Sequence, residues 1–204
     1  MSNKSILLYV LIFFNFNTFS QNNTTFHLLF VGNSLTYTND LPSLVKEHAN
    51  EKGYKIKTKT VAFPNYGLED HWNDGKIQAL IKSNKYDYVI IQQGPSSQEY
   101  GRTSLLEYGK KIKSLCNKNK TQLVFFMVWP SKKYYHTYDG VIKNYTNAAK
   151  DNDALLCPVG KVWKTHFDDT NDFSYYGYDG FHPSLEGSKM AATVIVKHLF
   201  EKRE

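Results

Sequence analysis

Five short apolar runs, rich in β-branched and aromatic residues, punctuate the chain: FHLLFV (26–31), KIKTKTVAF (55–63), YDYVIIQQ (86–93), QLVFFMVW (122–129) and ALLCPV (154–159). The first, third and fourth are nearly continuous, the pattern of strands covered on both faces. The second alternates, which puts Lys55, Lys57 and Lys59 on one solvent face. Between the runs, apolar positions recur at helical spacing. Residues 41–52 set Leu41, Leu44, Val45 and His48 on one side and stop at Gly53, a natural C-cap. The same spacing predicts helices over 75–84, 104–119, 138–152 and 183–202, the last opened by Pro183. Strand and helix in alternation predict an α/β fold with a parallel sheet covered by helices on both faces. In such folds ligands bind at the carboxyl ends of the strands. Chemistry is therefore expected in the loops after the first four strands and in the segment before the last helix.

The 204 residues suit one domain, with no internal repeat and no linker-like stretch. Residues 1–20 carry Lys4, an apolar run from Ile6 to Phe14 and then Thr18-Phe19-Ser20, the layout of a signal peptide cut near Ser20. The run is about half of the ~20 residues a spanning helix needs. No cysteine follows it, which argues against a lipid anchor. The expectation is a single domain over 21–204, secreted or periplasmic, without stable membrane insertion after cleavage.

Without residues 1–20 the chain keeps 24 basic and 19 acidic side chains, a mild and dispersed positive charge. A nucleic-acid partner would call for a dense basic stripe interleaved with aromatics, and none is present. Cys116 and Cys157 are the only cysteines, too few for a cysteine-rich zinc site or a disulfide framework. They are either one disulfide or two buried thiols. THFDDTND (165–172) collects acidic side chains but lacks the glycine and terminal glutamate of a calcium loop, and it reads as a solvated loop. No metal and no cofactor is expected.

Ser34 lies just beyond the first apolar run, in FVGNSLTYTND (30–40). In that turn a serine is either a helix cap or a nucleophile whose own N–H faces an oxyanion. The far end of the chain bears on the choice. YYGYDGFHPSLEGS (175–188) holds Asp179 and His182 three apart, and Pro183 fixes the chain before the last helix. A serine nucleophile needs a base within hydrogen-bond reach, and that base needs an acceptor to hold its tautomer.

Taken together, GNSLT (32–36) and DGFHPS (179–184) resemble the first and last signature blocks of the SGNH, or GDSL-like, hydrolase superfamily. The similarity spans roughly residues 26–200 in the expected order. It implies a flavodoxin-like three-layer α/β/α sandwich around a five-stranded parallel sheet, and metal-free ester hydrolysis. By that resemblance Ser34 is the nucleophile, His182 the general base and Asp179 its orienting partner. The oxyanion would be held by the N–H groups of Ser34 and Gly67. The third block departs from the family's Gly-x-Asn-Asp, since the chain reads IIQQGPSSQ (90–98). Ser96 falls at the asparagine position, and Gln93, or failing it Gln92, is the other candidate donor.

Asn33, Tyr66, His71 and Tyr178 are the expected substrate contacts. The 15 tyrosines include a group in the loops near these motifs: Tyr66, Tyr100, Tyr134, Tyr135, Tyr138, Tyr175, Tyr176 and Tyr178. Aromatic rings with a polar tip suit sugar faces better than acyl chains. The expected substrate is a small-molecule or glycan ester carrying a short acyl group, acetyl above all. Two alternatives stay open: a lysophospholipase or thioesterase acting on longer chains, and a hydrolase-fold domain that binds glycans without turnover.

Overall fold

A computed structural model of the chain describes residues 24–83 and 85–201. The expected signal peptide lies outside the described residues. All five apolar runs form strands: β1 (Thr25–Gly32), β2 (Lys55–Ala62), β3 (Tyr88–Ile91), β4 (Gln122–Phe126) and β5 (Leu155–Cys157). Every pairing is parallel, in the order β2-β1-β3-β4-β5. Because β2 lies on one side of β1 and β3 on the other, the chain reverses its direction of winding between β1 and β3. A crevice opens at the carboxyl end of a sheet at such a point.

The sheet is sandwiched by α1 (Ser34–Tyr37), α2 (Leu41–Glu51), α3 (Leu68–Asn73), α4 (Lys76–Ser83), α5 (Glu99–Lys118), α6 (Tyr138–Asp151), α7 (Val159–Thr170) and α8 (Leu185–Val196). Helix α2 packs against α8 and β2, while α3 to α6 touch one another in chain order on the other face and α7 joins α6 to α8. The expected three-layer α/β/α sandwich is the architecture of the chain.

The third and fourth runs are trimmed as strands, to 88–91 and 122–126. Their last residues leave the ladder without leaving the core: Gln92, Met127, Val128 and Trp129 are all fully buried. THFDDTND is not a loop through its length, since residues 165–170 are the last turns of α7. The reason is legible in retrospect, because Val159, Trp163 and Phe167 recur every four residues and bury one face. Trp163 stacks on Trp129 with ring centroids 3.6 Å apart, and Phe167, Tyr175 and Tyr176 pack around Trp163.

Cys116 and Cys157 are both buried free thiols. Burial pushes the Cys116 thiol up to about 12 and raises that of Cys157 as well, so neither is a reactive thiolate at neutral pH.

Candidate active site

Strand β1 ends at Gly32, and the chain turns at once into α1. A Cβ at Gly32 would stand 2.3 Å from Thr36 Oγ1 and 2.4 Å from Gln92 Oε1, so no larger residue fits this turn. The helix cap is Asn33 rather than Ser34: its Oδ1 accepts the Leu35 N–H at 3.1 Å. That leaves the Ser34 hydroxyl free for other work. Asn33 also donates from Nδ2 to Tyr66 O at 2.9 Å and from its backbone N–H to Gln92 Oε1 at 2.9 Å. Its side chain is thus spent on bracing two loops rather than facing a ligand.

The segment before α8 closes on this turn. His182 Nε2 lies 2.9 Å from Ser34 Oγ, across 148 residues of chain, and His182 Nδ1 lies 2.6 Å from Asp179 Oδ2. Asp179 Oδ1 accepts the N–H groups of Phe181 and His182, each at 2.9 Å. Burial alone would raise the Asp179 carboxyl, but the hydrogen bonds from the imidazole and the two N–H groups outweigh it and hold the pKa below its ordinary value. Gly180, at φ +67°, supplies the left-handed turn between the carboxylate and the imidazole. Gly177 N–H donates to His182 O at 2.7 Å and so closes the loop on itself. Asn39 then staples it to the first loop, donating from Nδ2 to Pro183 O at 3.1 Å and to Ser188 Oγ at 3.0 Å.

Such a line lets the imidazole take the serine proton while the carboxylate fixes the tautomer. Asp179, His182 and Ser34 are therefore brought together as the two sequence motifs suggested.

The candidate oxyanion donors divide. The Ser34 N–H has no hydrogen-bond partner among the described residues. Gln93 accepts the Leu68 N–H on Oε1 at 2.6 Å, which turns its Nε2 outward, and that nitrogen has no partner among the described residues. A Cβ at Gly67 would meet Gln93 Nε2 at 3.0 Å, so glycine there lets the amide approach the backbone. The Gly67 N–H itself is engaged, donating to Asp70 Oδ2 at 2.7 Å at the start of α3. Ser96 is fully buried, and its Oγ donates to Gly94 O at 2.8 Å while its own carbonyl accepts from Asn144 at 2.6 Å. The altered third block thus presents its glutamine and turns its serine inward.

The remaining expected contacts fare unevenly. His71 is buried at 1% exposure, with Nε2 2.8 Å from Gly32 O, so it supports the nucleophile turn from beneath. Because a carbonyl accepts, Nε2 carries the proton, and burial lowers the pKa of the ring. The Tyr66 ring stands edge-on to His71, and Asp74 raises its hydroxyl pKa above the ordinary value. Tyr178 projects fully into solvent. Of the other loop tyrosines, Tyr138, Tyr175 and Tyr176 belong to the core; Tyr138 and Tyr176 share a hydrogen bond, and Tyr176 also donates to Pro130 O at 2.8 Å.

Two residues position the site in a way the motifs do not give: Asn39, and Gln92, which was expected only as a fallback oxyanion donor and whose amide nitrogen is already engaged. Gln92 is fully buried, accepts from Asn33 N–H and Thr36 Oγ1 on Oε1, and donates from Nε2 to Gln93 O at 2.8 Å. Asn39 is the other, and its φ of 55° is one that an asparagine tolerates. Among the described residues no group of three or more His, Cys, Asp or Glu is arranged to hold a metal. No described helix is long and apolar enough to cross a membrane. A cavity of about 950 Å³ opens at the opposite end of the sheet, beside Thr25, His27 and Lys57, remote from the serine and its base.

The fold is that of the SGNH hydrolases. A candidate SGNH hydrolase from Slackia heliotrinireducens superposes over 86% of this chain and 100% of its own, with a TM-score of 0.73 at 22% identity. A lipase/acylhydrolase from Enterococcus faecalis covers 85% of this chain and 95% of its own, at TM-score 0.69 and 14% identity. A catalytic mutant of an acetylxylan esterase from Geobacillus stearothermophilus covers 85% and 94%, at TM-score 0.62 and 16% identity. No protein-family model matches the chain, and no curated protein matches it by sequence.

Proposed function

We propose that the protein is an exported serine esterase that removes a short acyl group, acetyl above all, from a carbohydrate. The observation that carries this reading is the unbroken line from Asp179 Oδ2 through His182 to Ser34 Oγ, with contacts of 2.6 and 2.9 Å. His182 takes the serine proton as Oγ attacks the ester carbonyl, then returns it to the leaving alcohol; water repeats the cycle on the acyl-enzyme. The Ser34 N–H and the Gln93 Nε2 are the donors that best suit the oxyanion, in place of the Ser96 hydroxyl. Each such donor is worth ~3 kcal/mol of transition-state stabilisation. The likeness in fold to acyl hydrolases and to an acetylxylan esterase supports the chemistry and the small acyl group.

The test is hydrolysis of p-nitrophenyl acetate, butyrate and octanoate by the purified domain, with Ser34→Ala as control. Acetate turnover that vanishes in the variant is the expected result. Turnover that survives Ser34→Ala rules out this nucleophile, and rates rising with chain length would replace acetyl by a longer acyl group.

A further inference from the structure

We propose that the cavity at the amino end of the sheet docks the protein on an anionic phospholipid surface, an inference that stands apart from the esterase reading above. The cavity, about 950 Å³ in volume, opens over His27 of β1 and Lys57 and Lys59 of β2, and Lys85 and Lys120 line it from the loops that lead into β3 and β4. Asp87 is the one acid in its lining, and Asp87 Oδ2 already accepts the His27 N–H at 2.7 Å. Four ammonium groups therefore face a single, engaged carboxylate.

Lysines on a bare edge strand often serve only to discourage pairing with another chain. That accounts for Lys57 and Lys59, since β2 is an edge, but not for Lys85 and Lys120, which precede the interior strands β3 and β4. None of the four is in an ion pair among the described residues, whereas Lys52, Lys111 and Lys164 pair with Glu201, Glu107 and Asp168. Lys120 also stands at φ +55°, and every other described residue with a positive φ is Asn, Asp or Gly. A charge is kept at a turn whose backbone favours those smaller residues.

The point at which the chain enters the fold decides the occupant. Strand β1 begins at Thr25, which lines the same cavity, and ten residues separate it from Phe14, the end of the apolar run read as the export signal. Ten extended residues span at most about 36 Å, so a bilayer holding that run faces this pole of the domain. Lysine binds phosphate as a point charge, and each one near an anionic lipid surface strengthens attachment about five-fold. Thr25, Thr58 and Asn119 set further polar partners for a headgroup beside the ammonium groups. Ser34 lies beyond the far end of β1, roughly 25 Å away, so a docked molecule turns its reacting serine away from the lipid.

The experiment sediments the chain from Gln21 onward, which lacks the apolar run, with vesicles of phosphatidylcholine alone or mixed with phosphatidylglycerol. Wild type should bind the mixed vesicles only, and more weakly as salt rises. The triple variant Lys57→Gln, Lys59→Gln, Lys120→Asn should bind them about 100-fold more weakly, with melting temperature and p-nitrophenyl acetate turnover unchanged. Asparagine at 120 tolerates the positive φ. Neutralising three exposed lysines elsewhere, by Lys143→Gln and Lys150→Gln on α6 and Lys161→Gln on α7, should leave binding close to wild type. An equal loss in both triple variants overturns the inference, because attachment then follows net charge and not the cavity. So does wild type that ignores the mixed vesicles, including wild type that ignores them yet is retained on soluble polyphosphate. Vesicle binding without ester turnover removes the esterase reading and leaves this inference standing.

Discussion

Gln92 Oε1 lies 2.9 Å from the Asn33 N–H, so the turn that presents Ser34 hangs from the neighbouring strand as well as from its own. The same oxygen accepts from Thr36 Oγ1 at 2.9 Å, and the side chain is fully buried. Gln92→Leu would leave one buried and one partly buried donor without an acceptor, at a cost of about 2–4 kcal/mol. We expect urea unfolding to register that loss, and ester turnover measured well below the transition to fall further than Ser34 occupancy of the folded state explains. Stability close to wild type would mean the turn holds its shape without the glutamine.

Asp179 binds three donors at once, and it is the acceptor of His182 Nδ1 among the described residues. A backbone carbonyl can orient a histidine in principle, yet here the carboxylate does that and also sets the loop. Asp179→Asn keeps the size of the side chain while favouring the wrong imidazole tautomer, and kcat should fall by about 10³-fold or more. A loss below about ten-fold would assign the orienting role elsewhere.

The engagement of Gly67 N–H by Asp70 has a measurable consequence. Asp70→Ala removes the N-terminal partner of α3 and should lower the melting temperature by about 2–4 °C. It also frees an N–H beside the Gln93 amide, so kcat on a small acetate ester should rise, by up to about ten-fold. A fall in kcat would show that the carboxylate holds the loop in its working geometry.

His71 makes stability depend on pH in a defined direction. Burial lowers its folded pKa beneath the ordinary 6.5, against the opposing pull of the Gly32 carbonyl. Above about pH 6.5 the ring is neutral in both states and costs nothing. As pH falls below that value, the unfolded chain takes a proton that the folded ring refuses, and stability drops until the folded pKa is reached. Melting temperature should therefore decline between pH 7 and pH 5 more steeply in wild type than in His71→Asn. Parallel slopes would remove His71 as the source.

The sheet was legible because it rests on local signals: unbroken apolar runs require burial on both faces. Ser34, Asp179 and His182 were legible in another way, through the resemblance of two motifs, GNSLT and DGFHPS, that stand far apart in the chain. Boundaries were less legible where burial outlasts the ladder. Met127 to Trp129 are as apolar as β4 and stay fully buried beyond its end, although Met127 N–H still bonds Cys157 O of β5 at 3.0 Å. Helix α7 was hidden because its exposed face supplies the acids of THFDDTND, which reads as a loop when its buried Trp163 and Phe167 are left out. The choice between Gln93 and Ser96 was only partly local. It turns on Leu68 capturing one end of the glutamine and on Gly94 capturing the serine, contacts that only the folded chain makes.

Trp129 and Trp163 stack face to face in the core, and the indole N–H of the first grips the carbonyl of the residue that precedes the base. The chain therefore carries its own optical probe. Loosening of the Asp179–His182 loop exposes that indole to water, and the emission of a stacked pair shifts when one partner is hydrated. Any movement of that loop would be read as a fluorescence signal that needs no attached dye, against a background of one further tryptophan, Trp72.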